Sequence, residues 1–321
     1  MSEAATQTSR ALRGLAFAAA FFLAAGVAAQ EAAPIFLDYS QEQLDAAYDQ
    51  RRWAENVPET IARYATDSAA AREALGVETV AYGDGARERM DVLRPEGEGP
   101  FPIHLHLHGG AWRALSKDDA GFPAPAVVAS GAIFVALDFD VIPDVRLPEM
   151  IDQARAAVAW LHRNGESLGG DSECIVVSGH SSGAHMAGVL LTTDWAALDL
   201  PRDVLKGGLL ISGMYDLEPV MLSSRSSYVE LSDEEVGELS AMRHLDRLSA
   251  PVIVAYGSEE SPEFQRHSRD FAAALAERGL TQMLVRLPGV DHFEMPYAAM
   301  AADALPLRAI DLITQPRRRT P

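Results

Sequence analysis

The sequence predicts one large α/β domain: a mainly parallel central sheet with helices on both faces and a small helical cap. Short apolar runs alternate with amphipathic helical stretches over roughly 200 residues, the pattern of successive βαβ units. Ala132–Leu137 is apolar without interruption, as expected of a parallel strand buried on both faces. The 321 residues, 48 % hydrophobic, suffice for a single substantial core.

The elements follow in order. Gln41 to Leu75 is polar and helix-prone, with Leu44, Tyr48, Trp53, Ile61 and Tyr64 as packing residues, and reads as helical decoration over the core. Val77–Tyr82 and Arg89–Leu93 are short strands, with Asp84-Gly85 as a turn signal between them. Ile103–Leu107 is a strand ending at His108-Gly109-Gly110, and Ala132–Leu137 is the next. Met150–His162 carries Ile151, Ala154, Val158 and Leu161 at helical spacing. Cys174–Val177 is a buried strand, followed by a turn and a helix over Gly183–Leu191. Gly208–Ile211, Val252–Ala255 and Met283–Leu287 are strands, and Glu263–Arg278 is a helix stopped by Gly279. A helix over Tyr297–Ile313 closes the domain, and Gln315–Pro321 is a solvated end. The charged segment Ser223–Arg247, inserted between two strands, supplies the cap.

The N-terminus reads as a secretory signal. Arg10 and Arg13 precede an apolar run, Leu15–Gly26, and Val27-Ala28-Ala29 offers a cleavage site before Gln30. The apolar run falls short of the ~18 residues a spanning helix needs. The expected organisation is therefore a signal over residues 1–29 and a single domain over residues 30–321, working in the periplasm or outside the cell with no stable membrane insertion after cleavage. The formal charge is −19, which argues against nucleic acid and anionic membranes as partners and does not identify a substrate. One cysteine, Cys174, permits no intrachain disulfide and no CxxC pair; its apolar neighbours predict a buried core thiol.

Chemistry concentrates at Gly179-His180-Ser181-Ser182-Gly183, a G-x-S-x-G run between a buried strand and a helix. A tight strand-to-helix turn holds such a serine out above the sheet, and the helix aims its free N–H groups at whatever the serine attacks. Upstream, Gly109 and Gly110 in His108-Gly109-Gly110-Ala111-Trp112 follow a strand and leave backbone N–H groups free for a developing oxyanion, with the N–H of Ser182 as a further donor. A serine hydroxyl needs a base, and His292 stands just after the last strand in the order expected: nucleophile, acid, histidine. His180 and His185 flank the serine as packing or loop residues, and His162, His244 and His267 lie in helical or capping segments. For the acid, the loop Tyr256–Pro262 favours Glu260, with neighbouring Glu259 and with Asp216 after the preceding strand as rivals; Asp291 adjoins the histidine too closely to orient it.

These motifs resemble the kynurenine formamidase (arylformamidase)-like branch of the α/β-hydrolases, whose bacterial relatives are often carboxylesterase-like. The resemblance rests on His108–Trp112, on Gly179–His185, on Ser261-Pro262-Glu263-Phe264-Gln265-Arg266-His267-Ser268, on Tyr215–Pro219, and on the stretch around Leu44, Tyr48 and Val57-Pro58. It implies Ser181 as nucleophile, Glu260 as acid, His292 as base and a structural Asp216. It departs from the better-known members in two ways: glutamate stands where they carry aspartate, and an export signal is foreign to cytosolic tryptophan breakdown. The expectation is therefore a carboxylesterase acting through an acyl-serine with no metal or organic cofactor, with formamide hydrolysis as the alternative.

Two rival readings stand beside this one. His104, His106 and His108 share one face of a strand, a spacing able to bind zinc; hydrogen-bonded histidines beside the oxyanion loop are the plainer account. A hydrolase fold kept only for binding is the second. Trp112, Phe122 and Tyr215 are candidates for an aromatic pocket, or for the core.

Overall fold

A computed structural model describes residues 33–301. The export signal expected over residues 1–29, the expected tail Gln315–Pro321 and most of the expected helix Tyr297–Ile313 lie outside the described residues. Eight strands form one sheet in the order β1-β2-β4-β3-β5-β6-β7-β8. They are β1 Glu78–Ala81, β2 Arg89–Leu93, β3 Phe101–Leu107, β4 Ile133–Leu137, β5 Gly170–His180, β6 Leu205–Ile211, β7 Val252–Gly257 and β8 Thr281–Leu287. β1 and β2 run antiparallel at one edge, and every pairing from β4 to β8 is parallel. The α-helices are α1 Gln41–Tyr48, α2 Val57–Leu75, α3 Ala124–Ala129, α4 Leu147–Asn164, α5 Ser182–Leu191, α6 Glu218–Leu222, α7 Ser226–Val229, α8 Asp233–Glu238, α9 Pro262–Ala276 and α10 Met295–Ala301.

Side-chain alternation divides the core. Ile103, Leu105 and Leu107 of β3 join Ile133, Val135 and Leu137 of β4 on one face, under α4, α5 and α9. Phe134 and Ala136 point the other way and meet α3 and α10. Deleting such a side chain, as in Leu105→Ala, costs about 2–5 kcal/mol.

All eight strands match the sequence reading within a few residues. β5 is longer than expected because its polar start, Gly170–Glu173, still pairs beside β3 at Phe101. Cys174 is half-buried, a correction to the core position expected, because it precedes the fully enclosed part of β5. Burial still pushes its thiol up to about 11, so it stays protonated. The helix-prone stretch Gln41–Leu75 holds two α-helices, α1 and α2, with a short 3₁₀ turn between them. Ser40 caps α1 reciprocally with Gln43, and Asn56, at φ 54°, precedes Pro58 in the first turn of α2. The cap segment Ser223–Arg247 holds α7, α8 and a short 3₁₀ turn.

The chain runs from β3 to β4 on one side and from β4 to β5 on the other, so β3 and β5 flank the point where strand order reverses. Ligand crevices in parallel sheets open there, beyond the carboxyl ends of the strands. Leu107 of β3 is in register with Gly179 of β5, which sets the Gly109-Gly110 loop beside Ser181.

Candidate active site

Ser181 occupies the sharp turn between β5 and α5 at φ 56°, ψ −121°. A non-glycine residue at such angles is strained, and the surroundings must hold it there. They do so at two places. The Ser181 N–H donates to the Ile211 carbonyl at the end of β6, at 2.9 Å. Gly183 lies so close to β3 that a Cβ on it would meet the carbonyl oxygens of Leu107 at 2.2 Å and His108 at 2.4 Å. That approach seats the first turn of α5 against the oxyanion loop.

The Ser181 hydroxyl donates to His292 Nε2 at 2.9 Å, and His292 Nδ1–H donates to Glu260 Oε1 at 2.7 Å. Glu260 comes from the loop after β7 and His292 from the loop after β8, two neighbours in the sheet. The other carboxylate oxygen of Glu260 accepts the Gly257 N–H at 3.1 Å. His180 Nε2–H donates to the His292 carbonyl at 2.9 Å, tying the histidine loop to the serine turn. Ser181, His292 and Glu260 are all buried.

The histidine and glutamate titrate as a unit. With one proton, on Nδ1, the pair carries a net −1. A second proton neutralises it, which burial favours, and Glu260 is accordingly pushed up to about 8. A third would leave a buried cation; burial, reinforced by the Arg225 charge, pushes His292 down to about 3.

The rival acids are engaged elsewhere. Asp216 Oδ1 accepts from the Glu218 N–H at 3.2 Å and from Arg243 at 3.2 Å. Asp291 caps the N–H groups of Phe293 and Glu294. Glu259 accepts from Ser258 Oγ.

In the oxyanion loop Gly110 has φ +105°, and a Cβ on it would meet the Ala114 carbonyl oxygen at 2.1 Å. Among the described residues, the N–H groups of Gly109, Gly110 and Ala111 donate to no protein acceptor. Gly110 and Ala111 line a cavity of about 480 Å³ together with Ser181 and His292. Gly109 instead packs against the backbone of His180 and Cβ of Ser181. Ala111, at φ 54°, also lines the cavity, a position the sequence did not single out beside Gly109 and Gly110. A non-glycine residue in the left-handed region carries no sequence signal, which is why it was missed. The Trp112 N–H donates to Ser182 Oγ at 3.2 Å, pinning the loop to α5, and Ser182 opens that helix with its own N–H toward the turn.

Tyr48, Tyr64, Tyr228 and Phe293 supply the cavity's aromatic surface. Trp112, Phe122 and Tyr215 do not belong to it. Trp112 is buried edge-on to His185, Tyr215 stacks on Phe271 in the core, and Phe122 stacks on Tyr64. The histidines of β3 also have an account. Ser178 Oγ sits between His104 Nε2 (2.6 Å) and His106 Nδ1 (2.8 Å), donating to one ring and accepting from the other. Burial pushes His104 down to about 4 and His106 well below its ordinary value. His108 Nδ1–H donates to the Gly109 carbonyl at 2.8 Å.

Similarity to known proteins identifies the family. Residues 90–202 match the BD-FAE family model. Over 269 residues the chain is 30 % identical to a kynurenine formamidase of Danio rerio, spanning 80 % of this chain and 90 % of that one. It is 27 % identical to esterase LipC of Mycobacterium tuberculosis over 66 % of this chain and 58 % of that one. A Pyrobaculum calidifontis esterase structure superposes with a TM-score of 0.64 at 21 % identity, covering 82 % of this chain and 95 % of that one, which speaks to the fold. The parallel sheet, the serine in its strand-turn-helix setting and the identity to a kynurenine formamidase together show that the chain belongs to the α/β-hydrolase superfamily.

Proposed function

We propose that this protein is a serine hydrolase of carboxylic esters working through an acyl-serine intermediate. The observation that carries the reading is the continuous chain from Ser181 Oγ through the His292 imidazole to Glu260, at 2.9 and 2.7 Å. Ser181 attacks the carbonyl carbon while His292 Nε2 takes its proton, and Glu260 steadies the imidazolium that forms. The N–H groups of Gly110, Ala111 and Ser182 face the developing oxyanion. His292 then protonates the leaving group, and water, deprotonated by the same imidazole, hydrolyses the acyl-serine. The residues need no metal or organic cofactor for these steps. Formamide hydrolysis is the second reading, favoured by the 30 % identity to a kynurenine formamidase.

The test is hydrolysis of short p-nitrophenyl esters and of N-formylkynurenine by residues 30–321, alongside Ser181→Ala and with EDTA present. Ester turnover that dies with Ser181→Ala and survives EDTA supports the reading, and the formamide rate chooses the branch. Loss of activity in EDTA, or a fully active Ser181→Ala, refutes it. Inert protein that also fails to react with a fluorophosphonate probe favours a binding protein instead. Export through residues 1–29 belongs to the same proposal; the mass of protein recovered outside the cytoplasm should correspond to a chain beginning at Gln30.

A further inference from the structure

Two cations on the cavity wall have no carboxylate partner among the described residues. Arg113 and Arg225 both line it, and among the described residues neither lies within ion-pair distance of a carboxylate. The other charged lining residues, Arg51 and Asp49, neutralise each other at 2.8 Å. A chain of formal charge −19 therefore presents a net positive wall beside its reactive serine.

Arg225 is the better placed of the two. It is half-buried at the start of α7, against the rings of Tyr48, Trp112 and Phe264, each 5.7–5.8 Å from its guanidinium carbon. One side of the guanidinium is used. Nε–H and one Nη2–H converge on the Tyr48 carbonyl at 3.3 and 2.8 Å, and Nη1 makes a long contact to Met214 Sδ at 3.8 Å. Beyond that long Met214 contact, no further protein acceptor meets Nη1 or Nη2 among the described residues, which leaves the end-on fork open to a ligand. Two parallel N–H groups on a fixed plane match the two oxygens of a carboxylate. Tyr48, whose carbonyl holds the other side, is itself fixed: its hydroxyl donates to buried Glu263, and His267 Nε2 lies 2.8 Å away. The fork is thus presented by a rigid support, and its charge reaches the site, since it contributes to the lowering of His292.

We propose that Arg225 recognises a carboxylate on the substrate, so that the enzyme selects esters or formamides whose acyl part or leaving group is anionic over neutral ones of the same size. The cavity of about 480 Å³ admits such a molecule with an aromatic or short aliphatic body against Tyr64, Tyr228 and Phe293. The inference rests on the serine-hydrolase reading for the reaction, but the anion site can be tested without turnover.

Two substrate pairs separate the two places a carboxylate can sit. Mono-p-nitrophenyl glutarate against p-nitrophenyl pentanoate places the charge on the acyl side. 4-Acetoxybenzoate against its methyl ester places it on the leaving group. In at least one pair the wild type should prefer the anionic member. Arg225→Gln should reduce that anionic-to-neutral ratio of kcat/KM by about 10–100-fold, through KM of the anionic ester. Arg225→Lys, which keeps the charge and can still reach the Tyr48 carbonyl, should fall between the two. A merely structural arginine would lower both members together and leave the ratio unchanged. No anionic preference in either wild-type pair, or a preference that survives Arg225→Gln, overturns the proposal. If nothing is hydrolysed, calorimetry with monoethyl glutarate decides separately: binding to wild type that is lost in Arg225→Gln upholds the anion site, and no binding to wild type overturns it.

Discussion

Replacing Glu260 by glutamine tests the site most directly, because the change is nearly isosteric and removes only charge. The side chain is buried, and its two oxygens hold His292 Nδ1–H and the Gly257 N–H. During attack His292 becomes an imidazolium, whose charge centre lies about 4 Å from that of a carboxylate in direct contact. At an effective dielectric near 20 this is worth about 4 kcal/mol, or roughly a thousandfold in rate. Glutamine also permits the wrong imidazole tautomer, which extends the expected loss in kcat to about 10³–10⁴. The pH profile should move as well. The competent form is the pair with its single proton on Nδ1, fully present above the raised value of the pair and lost as pH falls through it. The wild-type acid limb of kcat/KM should therefore lie above 6.5, toward the value of about 8 to which Glu260 is pushed. Without the carboxylate only the buried imidazole titrates, and the limb should drop below 6.5. Stability should not suffer. A carboxyl whose value is raised on folding loses stability as pH rises from its ordinary 4.5 toward 8, so Glu260→Gln should melt no lower than wild type at pH 8. Stopped-flow and steady-state ester hydrolysis from pH 5 to 9, with a calorimetric melt of each protein, read all three. Activity within tenfold of wild type, an unmoved acid limb, or a dead Asp216→Asn beside an active Glu260→Gln would refute the assignment.

Other outcomes follow from the same geometry. Ser181→Ala and His292→Ala should each lose about 10⁴–10⁶ in rate with little change in melting temperature. Gly110→Ala combines a positive φ with a Cβ placed on the Ala114 carbonyl and should distort the oxyanion loop; a loss of about 10²–10³ in kcat is expected, and near-normal turnover would show that the loop does not donate. Ser178→Ala strips the shared partner from two buried histidines and should destabilise by about 1–3 kcal/mol in urea titration while EDTA leaves ester hydrolysis intact. His104, His106, His180, His185 and His267 are all buried and held below their ordinary value by burial. Each keeps its stability above 6.5 and gives it up as pH falls, at up to about 1.4 kcal/mol per pH unit per group. Urea midpoints should therefore fall steeply between pH 6.5 and 4.5; a flat profile would mean that these rings are solvated.

The sequence by itself determined the sheet and singled out the candidate reacting groups. Buried parallel strands such as β4 are written as continuous apolar runs, because both faces are covered, while the antiparallel β1 and β2 were legible from the turn signal between them. The serine turn was legible because its constraint is local: only glycine fits where Gly183 meets β3, and that requirement marks the chain. His292 was readable from its place after the last strand. What the tertiary structure alone decided are relations between distant segments. Glu260 and Asp216 are both acids in loops after neighbouring strands, and only the packing of β7 against β8 brings one of them to 2.7 Å from the imidazole. Ala111 joins Gly110 on the cavity wall because backbone angles, not residue type, shape the loop there. Arg225 is one charged residue among many in the cap segment, and no spacing distinguishes it. Its meaning comes from the Tyr48 carbonyl that fixes one side of the guanidinium, from a position 177 residues away in the chain. Burial and charge pairing depend on three-dimensional neighbours, and a local pattern along the chain cannot encode them.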